Sequence, residues 1–405
     1  MAKKPFVIDS ATGQEVPFLR GVLVQSLVAV GLSFSEAYDL AQRVRELLDA
    51  SAGTCDTAGL RKLVADEIER GFDKKRRRAY EIGKERDRPL LVSEAGRNEL
   101  FSVDLLSRYL EGCSIRQEET LEVARLVHES LRQRGQRTID RVGLRRVVHD
   151  TLRAACSDDA ADRFLSRCRF RESGEPLILL IGGPTGAGKS TVAARIAYLF
   201  DIVRTQSTDM MREIIRCYLV PHVAPTLGFS SFDAWRGLPE MDPVRGQTST
   251  DSPVVSGFLA QFGTVKVALE ATIQRAVMER NDLIVDGVHV LPVGLDLSAA
   301  SDEAVVVPLM LAVATMERLD DQLKRRSREQ PYRDAQRQRQ ALERIWELQG
   351  FMTELAEKAG IPVISSWELN ETVEQVIDEV MRQIVRRFPP DLSVLEESAV
   401  RANAG

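Results

Sequence analysis

Residues 177–181 are five consecutive large apolar side chains that end at a glycine, and a second apolar series then recurs at Val192, Ile196 and Leu199. An unbroken apolar run predicts a strand covered on both faces, as parallel sheets require. The i, i+4, i+7 spacing predicts a helix with one buried stripe. The same two signatures alternate to residue 387: strands at 202–207, 283–285, 305–311 and 362–365, and helices at 210–218, 254–279, 337–359 and 371–387. Phe258, Phe262, Val265, Leu269 and Ile273 mark the buried stripe of the longest helix, whose polar face is interrupted by Gln261, Lys266 and Glu270. Strands alternating with helices define an α/β domain with a parallel sheet and helices on both faces, over residues 175–388.

The N-terminal part has a different rhythm. Residues 5–68 and 89–152 read as two copies of one unit. Pro5-Phe6-Val7-Ile8 answers Pro89-Leu90-Leu91-Val92, and Gly59-Leu60-Arg61-Lys62-Leu63-Val64 answers Gly143-Leu144-Arg145-Arg146-Val147-Val148. Each copy predicts a short strand and hairpin followed by helices, at 21–30, 35–48 and 57–70 in the first. The organisation expected is a first repeat at 1–70, a basic linker at 71–88, a second repeat at 89–155, the α/β domain, and a disordered tail at 389–405. The linker run Lys74-Lys75-Arg76-Arg77-Arg78 stands beside Glu81, Glu85 and Asp87, as a solvated helix face does.

Chemistry concentrates where the first α/β strand meets its helix. Gly183-Pro184-Thr185-Gly186-Ala187-Gly188-Lys189-Ser190, followed by Thr191, satisfies G-x-x-x-x-G-K-[ST] at every fixed position. Its glycines let main chain approach a polyphosphate, and the loop amides with the helix N-terminus bind anionic oxygens. Lys189 is placed to reach the β- and γ-phosphates of ATP, and Ser190 to hold Mg2+. Asp209 follows the second strand, at the sheet end where a phosphoryl acceptor sits, although an aspartate there also caps a helix. Arg212 and Arg216 share one face of the helix behind it. Asp286 ends the third strand, as a metal-serving acidic residue or as the start of an Asp-Gly turn. His289 is either a substrate contact or a packed histidine, and Lys266 is a further substrate candidate. The arginine-dense stretch after the fourth strand, with Arg318, Arg325, Arg326 and Arg328, has the composition of a lid that stabilises transferring charge. Residues 221–253 read as a loop-rich wall of the acceptor site, or as an excursion packed on the domain.

Composition narrows the setting. A net charge of −5 gives no general attraction to nucleic acid, no apolar run reaches membrane-span length, and the opening Met1-Ala2-Lys3-Lys4-Pro5 has no apolar segment behind it. Five scattered cysteines read as reduced thiols in a cytoplasmic protein.

The N-terminal copies resemble the ATP-cone, a small regulatory nucleotide-binding module, but Asp9-Ser10 and Ser93-Glu94 stand where cones place a basic residue before the hairpin glycine. The α/β part resembles the 2-phosphoglycerate kinase family through LILLIGGPTGAGKST, STDMMREIIR, LGFSSFDAW, GFLAQFGTVKVALEATIQRA and LIVDGVHVLP. That resemblance implies a P-loop domain of nucleoside-monophosphate-kinase type using ATP and Mg2+. The implied reaction is phosphorylation of 2-phosphoglycerate, with Lys189, Asp209 and Arg212 catalytic, Ser190 and Asp286 on the metal, and Arg216 on the acceptor's charges. A kinase for an inositol phosphate and a non-catalytic ATP sensor are the other readings of the same residues. The cone-like repeats suggest a homo-oligomer; neither nucleic acid nor membrane is expected as a partner.

Overall fold

The computed structural model describes residues 6–8, 15–28, 31–50, 54–86, 90–94, 97–134, 137–220, 222–239, 252–329 and 341–396. The chain divides into two compact units, Met1–Phe101 with Leu131–Ile139, and Ser102–Ser130 with Asp140–Gly405.

In the first unit, β1 (Phe6–Ile8), β2 (Glu15–Pro17) and β3 (Thr54–Asp56) form a sheet in the order β2-β1-β3, with β1 antiparallel to β2 and parallel to β3. Strands this short do not stand alone. Their support is a helical core in which Leu27, Leu40, Val44 and Ile68 are fully buried. β4 (Leu91–Glu94), β5 (Arg97–Leu100) and β6 (Thr138–Asp140) form a second sheet in the matching order β5-β4-β6. The third strand of each sheet leads into a helix with the same cap: the Asp56 carboxylate accepts the Gly59 N–H at 2.7 Å, and Asp140 that of Gly143 at 2.5 Å. The basic run lies on the helix Lys74–Arg86, where Arg77 pairs with Asp66, Glu69 and Glu81.

The second unit is built on β7 (Leu177–Gly182), β8 (Arg204–Ser207), β9 (Leu283–Gly287), β10 (Val305–Ala312) and β11 (Val363–Ser365). All neighbours are parallel, in the order β11-β10-β7-β9-β8. Leu177, Leu179 and Ile181 of β7 join a core that includes side chains of the helices Lys189–Phe200 and Leu369–Arg387. Ile178 and Leu180 join one that includes Pro253–Met278 and Leu342–Lys358. The apolar run is unbroken because both faces of this central strand are covered. β8 is an edge strand that begins later than the apolar pattern predicts: Ile202 instead closes the preceding helix through its N–H to the Ala197 carbonyl, and Val203 is exposed.

Pro253–Met278 is long and apolar enough, by length and composition, to cross a membrane; its Phe258, Val265, Leu269 and Ile273 are buried in the sheet core, so it is the core helix of this unit, as its apolar stripe predicts. Two expectations need correction. Gln261, expected on the solvated face, is fully buried. The chain beyond Pro389 continues as ordered structure through residue 396: Leu392–Leu395 forms a 3-10 turn with Val394 and Leu395 buried. Arg146 donates to the Leu395 carbonyl at 2.6 Å and Arg145 to that of Val394 at 3.3 Å, which satisfies the backbone and holds this segment down. Residues 397–405 lie outside the described residues.

The division between units falls inside the second copy. Its helix Val103–Glu111 lies against the far end of the helix Lys189–Phe200. Within the second unit Arg167, 3% exposed, ties these two helices together, donating to the Tyr109 carbonyl at 2.7 Å and the Leu199 carbonyl at 3.2 Å. Its guanidinium faces the rings of Tyr109 and Phe200, at 4.3 and 4.4 Å. Arg195 adds an ion pair to Glu111 at 2.9 Å. All five cysteines are free thiols.

Candidate active site

The loop between β7 and its helix turns through glycines that no other residue could replace without strain. Gly183 has φ +142°, and a Cβ on it would lie 2.3 Å from the Leu311 carbonyl oxygen of β10. Gly188, at φ +77°, forms the N-cap of the helix Lys189–Phe200 in left-handed geometry. Ala187 is fully buried beneath the loop, Pro184 is buried, and Thr185 is half-buried. Lys189 is 8% exposed and curls over its own loop, its Nζ donating to the Pro184 carbonyl at 2.7 Å. Thr191 is exposed in the first helical turn, where its N–H returns to the Gly188 carbonyl.

Strand register supplies the acidic side. Asp286 of β9 lies opposite Ile181 of β7 and Ser207 of β8, at the carboxyl end of the sheet. Its Oδ2 accepts the Ser190 hydroxyl at 2.7 Å, and the residue is 8% exposed. A hydroxyl and a carboxylate are the hard oxygen donors that magnesium takes, so the donor set fits the ion expected here.

Behind the loop, the helix Met316–Glu329 presses Leu319 and Leu323 against Gly186. Arg318 of this helix donates to the Trp367 carbonyl, with its guanidinium 4.1 Å from the centroid of the Trp367 ring. Trp367 is 52% exposed, and the adjoining Ser366 Oγ lies 3.5 Å from where a Cβ on Gly188 would stand. Arg325 is exposed two turns further along. The side chains of Arg326 and Arg328 lie outside the described residues.

Across from the loop, Asp209 is exposed in the first turn of the helix Thr208–Tyr218, directly after β8. Lys189, Asp209 and Arg212 all lie within electrostatic reach of His289. Arg212 does not present itself to a ligand as expected: one Nη donates to the Leu227 and Phe229 carbonyls at 2.7 and 3.0 Å, the other to Glu213 at 2.5 Å. These bonds use its fork to anchor the turn after Ala224. Arg216 is half exposed and pairs with Glu213 at 2.7 Å. Lys266 keeps company with Glu270, 3.5 Å away, whose carboxylate accepts the Asp296 N–H.

His289 lies fully buried rather than on the crevice surface. Its ring stacks on Phe258, Nε2 is 2.7 Å from Gln261 Oε1, and Nδ1 is 3.3 Å from Thr208 Oγ1. Burial pushes its pKa down to about 4; the Asp209 carboxylate pulls the other way, and Arg212 and Lys189 reinforce the drop. The segment before it, Pro225–Gly228 and Ser231–Gly237, packs closely enough on the long helix that a Cβ on Gly257 would lie 2.1 Å from the Trp235 nitrogen. Residues 240–251, the rest of the expected acceptor wall, lie outside the described residues.

A parallel sheet with a glycine loop after its central strand, a lysine folded over that loop and a serine bonded to an aspartate from the neighbouring strand define an α/β domain of the P-loop kinase type. No family model matches the chain. Among curated proteins it is similar to the 2-phosphoglycerate kinase of Pyrococcus horikoshii, 32% identical over 298 residues, covering 73% of this chain and 95% of that protein. The enzymes of that name from Pyrococcus furiosus and Methanopyrus kandleri are 31% and 30% identical, over 95% and 85% of their lengths. The chain belongs to the 2-phosphoglycerate kinase family. A match of 298 residues is longer than the 175–388 segment, so the likeness reaches into the second N-terminal copy.

Proposed function

We propose that this chain transfers the γ-phosphoryl group of ATP to the 3-hydroxyl of 2-phosphoglycerate, giving 2,3-bisphosphoglycerate and ADP. The bond from the γ-phosphorus to the β,γ-bridging oxygen breaks, a bond from that phosphorus to the acceptor oxygen forms, and the hydroxyl proton leaves. The observation that carries this reading is the Ser190–Asp286 hydrogen bond at the foot of a glycine loop crossed by Lys189. The acceptor follows from the names of the relatives.

Lys189 and the main-chain N–H groups of the loop between Gly183 and Ser190, where Pro184 has none to give, hold the donor phosphates. Ser190 and Asp286 would hold magnesium, which when bound supplies charge neutralisation on the β- and γ-phosphate oxygens. Asp209 orients the acceptor hydroxyl or takes its proton. Arg318, set against Trp367, is the proposed stabiliser of charge on the transferring oxygens. Arg216, exposed on the Asp209 helix, is the proposed partner of the acceptor's phosphate or carboxylate, with Lys266 and Arg325 as further candidates.

The matching sheet order and aspartate caps support reading the N-terminal copies as cone-like modules, and their pairing as a route to a homo-oligomer. A cavity of about 370 Å³ in the first copy is lined by Glu36, Asp39 and Glu67 against Arg43 and Arg70, an excess of carboxylates that disfavours a polyphosphate there.

ADP release measured with ATP, magnesium and 2-phosphoglycerate, alongside 3-phosphoglycerate, glycerate and inositol phosphates, tests the reading. Release with 2-phosphoglycerate alone is expected; release only with another acceptor would replace it.

A further inference from the structure

A continuous chain of hydrogen-bonded polar side chains runs through the interior between the end of β9 and the turn at Pro225–Gly228, and the chemistry above leaves it unused. Thr208, Gln261 and His289 are each fully buried. Polar groups so placed are retained only when paired, and their pairing here fixes every proton. The Gln261 amide nitrogen donates to the Thr226 carbonyl at 2.6 Å and the Phe229 carbonyl at 3.0 Å, which turns its Oε1 toward His289 Nε2 at 2.7 Å. An amide oxygen only accepts, so Nε2 carries the imidazole proton and Nδ1 is the acceptor. The Thr208 hydroxyl, 3.3 Å from Nδ1, donates to it and receives the His289 backbone N–H at 3.4 Å.

Each end of this chain reaches a working part of the acceptor side. Thr208 is the first residue of the helix whose second residue is Asp209. Thr226 and Phe229 belong to the wall, and the Phe229 carbonyl also receives Arg212 at 3.0 Å. Gly287 makes the approach possible: a Cβ on it would stand 1.8 Å from Thr208 Oγ1.

We propose that His289 is a positioning residue: as the Nε2–H tautomer it ties the start of the Asp209 helix, through Thr208, to the 226–229 wall, through Gln261, and so sets the acceptor side before substrate enters. The part of this that concerns Asp209 rests on the reading of Asp209 as the acceptor-side carboxylate.

The test compares His289→Gln, His289→Asn, Thr208→Val and Thr208→Ser in steady-state kinetics, each substrate varied in turn, with melting temperature measured alongside. Glutamine keeps a donor toward Gln261 but loses the acceptor for Thr208; asparagine offers that acceptor but falls short of Gln261. Loss of either half of the tie is expected to raise the KM for 2-phosphoglycerate, or lower kcat, by about tenfold, the effect of one buried hydrogen bond. The KM for ATP should stay within about twofold, and Thr208→Ser should restore wild-type constants. A merely structural histidine would lower the melting temperature and leave the constants of the folded enzyme unchanged, and that result overturns the proposal. Thr208→Val replaces the hydroxyl by a methyl of similar size, so it decides the matter if the His289 variants do not fold. Asp209→Asn is run in parallel. Full kcat in that variant overturns the role given to Asp209, whereas the hold of His289 on the wall is judged by acceptor KM in the Thr208 and His289 variants.

Discussion

The Ser190 hydroxyl and the Asp286 carboxylate meet at 2.7 Å although 96 residues separate them in the chain. The contact exists because β7 and β9 are adjacent in the sheet, with Ile181 and Asp286 in register. It brings together the two oxygens proposed above to hold magnesium. Asp286→Asn should keep the fold and raise the magnesium concentration for half-maximal turnover by about ten- to a hundredfold, the usual loss at a metal-serving position. A magnesium titration of ADP formation measures it, and an unchanged midpoint would remove Asp286 from the metal site.

Lys189 is 8% exposed and donates to the Pro184 carbonyl, so its loss removes that bond together with the charge proposed to hold the donor phosphates. Lys189→Ala should lower kcat by about 10²- to 10³-fold, the scale of losing one oriented donor to a transition state. Circular dichroism should match the wild type. Ordinary turnover in the folded variant would contradict the assignment.

A methyl group at Gly287 has nowhere to go, because the Thr208 hydroxyl occupies that space. Gly287→Ala should lower stability by about 1–3 kcal/mol, the range for overpacking a closed core. The drop in the denaturant midpoint is the measurement, and it should be larger than that for Gly263→Ala, where nothing stands within 4 Å.

The buried imidazole of His289, with its pKa at about 4, gives acid a specific point of attack. The unfolded chain holds this group near pKa 6.5, so between the two values the unfolded state binds more protons than the folded one. Stability from this source is fully present above about pH 6.5 and is lost as pH falls toward 4. Melting temperatures from pH 4.5 to 7.5 should fall less steeply at the acid end in His289→Gln than in the wild type. Parallel curves would show that the ring titrates normally.

Much of the donor half was legible in the sequence because its signals are local. The apolar run of β7, the spacing of Gly183, Gly188 and Lys189, and the Asp286 that ends β9 each follow from a few neighbouring residues. The acceptor half was not legible, because its partners lie at distances that no period reports. Gln261 reads as a break in a polar face, yet the carbonyls that bury it belong to residues 35 and 32 positions earlier. Arg212 has the residue type and helical position of a phosphate clamp, and only the folded turn 15 and 17 residues on shows that one of its Nη groups is held by two carbonyls. The contact of Arg318 with Trp367, 49 residues downstream, is likewise invisible to any local pattern. β8 began late because an edge strand with one neighbour has no need of an apolar run.

Arg167 and the Glu111–Arg195 pair have a practical consequence for anyone who would excise the catalytic half of this chain. A fragment starting at Glu175 would keep the loop, the lysine and all five strands of the parallel sheet. It would also strip the cover from Phe200 and leave the Leu199 carbonyl without its guanidinium, at the far end of the very helix whose first turn carries Lys189 and Ser190. The shortest piece that keeps this helix sheathed begins no later than Ser102, well inside what the repeat pattern marks as a separate module.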